Sequence, residues 1–195
     1  MGFSISWLAV KVDDKDLVNA LLSLKETGEF GDYADYPIAG RMLPSGWYLI
    51  VMDHCDHELI KPDILKEISF NLTVVSCSIE EHCMFCSCSI WESGIEIFNV
   101  KHKGNESFYS LESKGMAPSG YDEIKEKYHK EQDKEGGEEA DVDMIFEIPN
   151  VLAKSLTGFK HDEAVEGIDD GSFTILSSTK FTNEYAGKRL WWKFW

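Results

Sequence analysis

Alternating apolar and polar residues near the start of the chain predict a first β-strand. The apolar residues recur at every second position, which places them on one face of an extended segment. They are Phe3, Ile5, Trp7 and Ala9. Residues 47–52 instead form a continuous apolar run, which is typical of a central strand covered on both faces.

Short apolar or alternating runs predict further strands in the rest of the chain. They cover residues 72–79, 83–91, 95–100, 142–148 and 173–176. The first three runs are separated by short polar turns, which allow antiparallel hairpins but are too short for parallel crossovers. Residues 30–37 and 101–118 are expected to be loops.

Apolar residues at helical spacing predict four helices, which cover residues 13–22, 62–68, 121–134 and 149–156. In the first helix, a stripe of leucine and valine is expected to face the core. The stripe consists of Leu17, Val18, Leu21 and Leu22. Asp13 or Asp14 can cap the start of this helix, and Gly158 ends the last helix where glycine is common.

This order of elements predicts one α+β domain over residues 1–195. Strands outnumber helices and mostly form hairpins, so we expect a mostly antiparallel or mixed sheet. Three to four helices should pack mainly on one face of that sheet. Gly136 and Gly137 interrupt an acidic stretch, and a mobile acidic segment is therefore expected near residues 130–141.

The charge of the chain excludes several classes of partner. It has 35 acidic and 19 basic residues, a formal net charge of −16. Nucleic acids and anionic membranes both require a cationic surface, so we expect neither as a partner. No apolar run approaches the roughly 20 residues of a membrane helix. The start of the chain lacks the pattern of a signal peptide, and a reducing cytoplasm is the expected location.

The histidines and cysteines are the strongest candidates for chemistry. His54 and His57 follow a predicted strand, while His82 and Cys86 lie at and beyond a polar interruption of another. Imidazole and thiolate are good zinc ligands, so these four residues are a possible metal set. The favoured interpretation is that the cysteines fill the core and the histidines lie at strand ends. We therefore expect no catalytic residue, metal or cofactor.

Two other features are unusual for a small domain. Residues 121–170 hold 16 acids and six lysines, and such a surface can attract a basic partner. The acids predicted to bind it are Asp122, Glu123, Glu126, Glu138 and Glu139. The chain ends in an aromatic group that must be covered by its own domain, a second copy or a partner. Its tryptophans, Trp191, Trp192 and Trp195, are the other predicted binding residues.

In size and composition the chain resembles small, acidic, aromatic-rich bacterial proteins, which include toxin-neutralising immunity proteins. The resemblance assigns no role to any residue. We expect a non-enzymatic interaction or inhibitor module that binds a basic protein, and a homodimer is a further possibility. The alternative is a small enzyme or a ligand- or metal-binding protein that uses the cluster around His54, His57 and His82.

Overall fold

In the computed structural model, which describes residues 2–165, 167 and 172–180, nine antiparallel strands form one sheet. The strands are β1 (Ser4–Lys11), β2 (Leu24–Gly31), β3 (Ile38–Met42), β4 (Trp47–Met52), β5 (Val74–Glu80), β6 (Phe85–Glu92), β7 (Ile95–Lys103), β8 (Leu111–Gly115) and β9 (Phe173–Ser178). Their order across the sheet is β2-β9-β3-β4-β1-β5-β6-β7-β8. The four α-helices in these residues are α1 (Lys15–Leu21), α2 (Pro62–Ile68), α3 (Tyr121–Glu135) and α4 (Glu147–Thr157). The predicted α+β class with an antiparallel sheet is confirmed.

The centre of the sheet is buried on both faces. Every residue of β4 is buried, as its continuous apolar run predicts. β4 pairs with β1 along Ser6↔Met52 to Lys11↔Trp47, and β1 pairs with β5 on its other side. Because successive side chains of a strand point to opposite faces, these central strands supply two separate cores.

The helices are divided between the two faces, two on each, and not packed mainly on one face as predicted, because the central strands are apolar on both sides. The longer pair, α3 and α4, covers the first face, where Trp7 and Phe98 are almost fully buried. The shorter pair, α1 and α2, covers the second face over Leu8 and Tyr48. Burial of one such large apolar side chain contributes about 1.5–3 kcal/mol. None of the helices in the described residues is long and apolar enough to cross a membrane.

The predicted strand over residues 142–148 is wrong. These residues form turns that lead into α4, which begins at Glu147, so Pro149 falls in the first helical turn, where proline is tolerated. The Asp143 carboxylate accepts a hydrogen bond from the Phe146 N–H at 3.1 Å. This local bond competes with extended structure, and apolar alternation over so few residues does not distinguish the two.

Two strands, β2 and β8, were not predicted: β8 lies in the expected loop over residues 101–118, and the end of β2 lies in the expected loop over residues 30–37. They are the edge strands of the sheet, and six of the eight residues of β2 and four of the five of β8 are exposed. β2 is also interrupted by a register shift between Glu26 and Phe30, where Gly28 has a φ of 86°. Strands that bury so little apolar surface carry no hydrophobic pattern, so the sequence does not reveal them.

The apolar stripe of α1 is only half buried. Val18 and Leu22 lie in the core of the second face, as predicted. Leu17 and Leu21 are instead 48% and 42% exposed. These two leucines lie on the outer side of a helix of only seven residues, which can present one narrow side to the sheet.

The acidic stretch around Gly136 is held by the side chain of Gln132. α3 ends at Glu135, and Gly136 follows it with a φ of 120°. The Gln132 amide, which is fully buried, donates to the carbonyl oxygens of Gly137 at 2.7 Å and Val142 at 3.2 Å and accepts from the Met144 N–H at 2.6 Å. Each such bond contributes about 0.5–1.5 kcal/mol. The mobility of residues 130–141 remains a prediction.

A buried ion pair joins the same stretch to β7. His102 Nε2 lies 2.7 Å from Asp143 Oδ2, and the two side chains are 0% and 2% exposed. The other ring nitrogen, Nδ1, lies 3.0 Å from the Ser110 carbonyl oxygen, which can only accept. Nδ1 therefore carries a proton, and a second proton must lie between Nε2 and the carboxylate. Such charge-assisted bonds are stronger than neutral ones.

Removal of the Asp143 carboxylate should destabilise the fold strongly. We expect Asp143→Ala to lower the free energy of unfolding by about 3–5 kcal/mol, because it leaves His102 buried without its partner. Urea unfolding measures the change. Asp141→Ala is the matched control, since Asp141 is exposed two residues earlier, and it should change stability by less than about 0.5 kcal/mol. Equal effects of the two substitutions would contradict the assigned role of the pair.

Candidate functional site

His54 and His57 lie together at one end of the sheet, just after β4. Their ring centroids are 4.8 Å apart, and His54 Nδ1 lies 2.9 Å from Asp53 Oδ1. His57 is buried, and its Nδ1 accepts the Leu59 N–H at 3.1 Å. Burial, helped by the neighbouring His54, lowers the pKa of His57 to about 4. His57 is therefore a neutral acceptor that caps a turn at neutral pH.

His82 lies at the same end of the sheet but belongs to a second group. It is exposed, and its Nδ1 lies 2.7 Å from Glu80 Oε1 at the end of β5. Burial alone would raise the pKa of Glu80, but hydrogen bonds from Ser4 and His82 outweigh it and lower that pKa. Because Ser6 bonds the His54 carbonyl oxygen, the start of β1 contacts both groups. The three histidines thus share one end of the sheet as two groups.

The three cysteines of the core do not join these histidines. Cys86 is fully buried in β6 on the first face, beside Cys77 and Cys88, and burial raises the pKa of all three thiols. Burial also raises the pKa of Cys55, which lies near Glu80. A raised pKa disfavours the thiolate that nucleophilic or metal chemistry needs.

The possible metal set of His54, His57, His82 and Cys86 is not assembled. Among the residues that the structure describes, no group of three or more His, Cys, Asp or Glu side chains is placed to hold a metal ion. The reason is topological: alternate residues of β6 point to opposite faces, and Cys86 points into the core of the first face.

A buried lysine with three partly exposed carboxylates around it lies where the chain leaves α4. Lys160 Nζ is 2.8 Å from Asp162 Oδ1, 3.1 Å from Glu147 Oε2 and 3.4 Å from Glu163 Oε1. Burial would lower the pKa of Lys160, but the hydrogen bonds to Asp162 and Glu147 raise it overall. Local sequence patterns do not predict this cluster, because its ion pairs form only where the fold buries the lysine. Its three carboxylates neutralise a buried cation, which is a structural role.

A cleft of about 720 Å³ opens between the β3–β4 turn and α4. Its wall is mainly apolar and includes Leu43, Pro44, Val151 and Val165. The charged side chain in this wall, Lys154, already forms an ion pair with Glu163. The described lining therefore offers apolar contact to a ligand, but no unpaired charge that would orient it.

The five acids predicted to bind a partner lie at two separate places. Asp122 and Glu123 are in the first turn of α3, and Glu126 pairs with Lys130 one turn further on. Glu138 and Glu139 follow the end of the helix. A helix of 15 residues is about 22 Å long, so about this distance along α3 separates the two groups of acids.

The denser of the two places is an acidic corner, which we define as Asp133, Glu135, Glu138, Glu139 and Asp141. These five acids occur in nine positions with one lysine, Lys134. All five side chains are exposed. The corner includes two of the predicted binding residues, Glu138 and Glu139, and adds three that were not predicted individually.

A loop between β7 and β8 holds the acidic corner in place. The Tyr109 hydroxyl donates to the Asp133 carboxylate, and the Ser107 hydroxyl and the Phe108 N–H donate to Glu138, the latter at 3.1 Å. The hydrogen bond to Asp133, together with burial and the negative charge of Asp133 and Glu138, raises the pKa of Tyr109 to about 12. The corner is thus a surface of five exposed acids, two of which accept hydrogen bonds from a loop that adds an aromatic ring.

The remaining predicted binding residues, Trp191, Trp192 and Trp195, lie outside the described residues. Comparisons of this chain with protein-family models, with curated proteins and with solved structures found no match. The site must therefore be interpreted from its own geometry.

The low pKa of His57 predicts a specific dependence of stability on pH. Above pH 6.5 the residue is neutral in both the folded and the unfolded chain. As the pH falls below 6.5, only the unfolded chain binds the proton, so the folded state loses stability. One pKa unit corresponds to 1.36 kcal/mol, and we expect a loss of about 2 kcal/mol between pH 7 and pH 5.

The variant His57→Asn tests this expectation, because asparagine does not titrate and can still accept the Leu59 N–H as a cap. Chemical unfolding at pH 7 and pH 5 should show a smaller loss for this variant than for the wild type, by about 2 kcal/mol. His82→Asn, at an exposed histidine, is the control and should behave as the wild type. Parallel losses in all three proteins would show that His57 is not the group responsible.

Proposed function

We propose that this protein is a non-enzymatic interaction or inhibitor module that binds a basic protein through its acidic corner. The observation that supports this most strongly is the way the corner is held. Tyr109, Ser107 and Gln132 fix the backbone and two of the acids, while Glu135, Glu139 and Asp141 stay exposed. A surface in which two of the five acids are already held by hydrogen bonds loses less conformational entropy on association.

The composition of the corner favours a cationic protein over a small cation. Five carboxylates spread along nine residues present charge over an extended surface. Tyr109 adds an aromatic ring at which a lysine or arginine of the partner can also bind. Complementary charge of this kind raises the rate of association and selects partners by the sign of their charge.

The other acids predicted for this role fit it less well. Glu126 is already paired with Lys130 at 2.5 Å, so it has less charge to offer. Asp122 and Glu123 lie at the far end of α3 and would form a secondary contact. The cytoplasm is the compartment we propose, and all five cysteines, which lie in the described residues, are free thiols as a reducing environment requires.

Binding of a labelled oligolysine peptide, measured by fluorescence anisotropy, tests the proposal. We expect the triple variant Glu135→Gln, Glu139→Gln, Asp141→Asn to weaken binding about tenfold, because three exposed charge pairs contribute about 0.5 kcal/mol each. Binding should also weaken as salt is raised, since exposed charges are screened.

The matched control is Glu29→Gln, Asp35→Asn, Asp56→Asn, which removes three exposed acids from other elements and gives the same net charge. It should weaken binding by less than twofold. If the two triple variants weaken binding equally, only the overall charge matters and the acidic corner is not the binding surface. Binding that does not depend on salt would also contradict the proposal.

A further inference from the structure

The edge of the sheet at β8 is open to a further strand. Within the described residues, β8 is the last strand on its side, and four of its five residues are exposed. At the other edge, β2 is interrupted by the register shift around Gly28, which is one of the ways in which proteins block an edge. β8 pairs with β7 without such a shift. An edge of this kind is a template on which an extended peptide can form main-chain hydrogen bonds.

The ladder between β7 and β8 shows which backbone groups are open. Just after β8, the Met116 N–H donates to the Ile97 carbonyl oxygen at 2.8 Å. Because hydrogen-bonded pairs alternate in an antiparallel ladder, every second residue counted back from Met116 turns its N–H and C=O groups toward β7. The residues in between include Leu111 and Ser113, which turn these groups outward. The Leu111 N–H donates to the Tyr109 carbonyl oxygen at 2.8 Å, so the Leu111 C=O and the Ser113 N–H and C=O are open to an added strand.

This edge is too short to hold a partner by backbone bonds alone. Three main-chain hydrogen bonds contribute little net affinity, because each replaces a bond to water. A partner therefore needs a second contact in line with β8. The acidic corner lies there, since Tyr109, whose hydroxyl donates to Asp133, is only two residues before Leu111.

The charges along β8 differ between its two ends. The exposed Lys114 lies near the end of the strand. In the middle, Glu112 is paired with Lys101 at 2.9 Å and with Lys103 at 3.6 Å, and Lys103 is also paired with Glu106. The acidic corner lies beyond the start. Basic residues of a partner are thus favoured beside the start of β8 and disfavoured beside its end.

The lysines of α3 do not cancel the charge of the corner. Lys127 and Lys130 are each paired with a glutamate one turn away on the same helix, at 3.9 and 2.5 Å. Lys125 is eight residues before Asp133, which is about 12 Å along the helix. Lys134 alone lies among the five acids, so the corner keeps a net charge of −4.

We propose that the basic partner binds as an extended segment that pairs antiparallel with β8, and that the lysines or arginines after this segment bind the acidic corner. The inference rests on the proposed function and specifies the conformation of the partner. Antiparallel pairing is the more stable kind, and it directs the C-terminal end of the added strand toward Leu111 and the corner. Five residues cover β8, and four more extend about 13 Å beyond it.

A labelled peptide of five alternating threonine and valine residues followed by four lysines tests the pairing by fluorescence anisotropy. Two derivatives carry N-methyl groups on alternate residues of the first five, at odd or at even positions, which removes N–H donors from one side of the strand and keeps every charge. One side of an added strand faces β8 and the other faces solvent. One derivative should therefore bind about tenfold more weakly than the parent peptide, and the other within twofold of it. Equal binding of the two derivatives, strong or weak, would overturn the proposal.

The variant Ser113→Pro tests the same edge from the side of the protein. It removes an outward N–H, and proline is tolerated on an edge strand where the N–H faces solvent. It should weaken binding of the parent peptide about tenfold. Ser113→Ala keeps the N–H and is the matched control, which should bind within twofold of the wild type. Equal affinities of the two variants would contradict the proposal. Thermal unfolding checks that both are folded, and the methylated peptides test the wild-type protein in either case.

The triple variant of the acidic corner separates this inference from the proposed function. If it weakens binding while the methylated positions and Ser113→Pro have no effect, the corner binds a flexible basic chain. The proposed function then stands and the strand pairing is wrong. If the triple variant binds the peptide as the wild type does, both proposals fail. A wild-type dimer in sedimentation that Ser113→Pro converts to monomer would assign the edge to a second copy and would also overturn the inference.

Discussion

Burial of both faces of β1 and β4 is the constraint on which the rest of the structure depends. A strand without a polar face must have a layer of side chains on each side of it. The nine-stranded sheet therefore needs two helical layers, and a chain of this length supplies them unequally. The long pair α3–α4 closes the first face, and the short pair α1–α2 covers only part of the second.

The unequal layers decide where polar and apolar groups remain accessible. On the first face, α4 covers the sheet, and Cys77, Cys86 and Cys88 beneath it are core residues whose pKa values are raised by burial. On the second face, α1 is a short helix with no further layer outside it, and its residues Leu17 and Leu21 remain exposed. The histidines lie at the end of the sheet, where β4 and β5 stop, and there His57 accepts from a turn and His82 lies beside Glu80 at a strand end.

The acidic corner depends on the first layer in the same way. α3 is mostly polar, and it stays helical and attached because Tyr121 packs on Phe98 and Gln132 binds the turns that follow. The buried His102–Asp143 pair joins those turns to β7. A surface that carries many like charges is thus attached to the sheet by a few polar bonds, which supports the proposed binding role.

Particular elements show how far the sequence could be interpreted. β1, β4, β5, β6, β9 and the helices were predictable because each buries a regular apolar pattern, and that pattern is local. The acid density near the end of α3 was equally visible. The edge strands β2 and β8 were not, since exposed strands are defined by their neighbours, and the turn at residues 142–146 was not, because one hydrogen bond from Asp143 decided it. The separation of Cys86 from the histidines and the cluster around Lys160 depend on which residues the fold brings into contact. These are contacts between residues far apart in the sequence, so no local pattern in the chain encodes them.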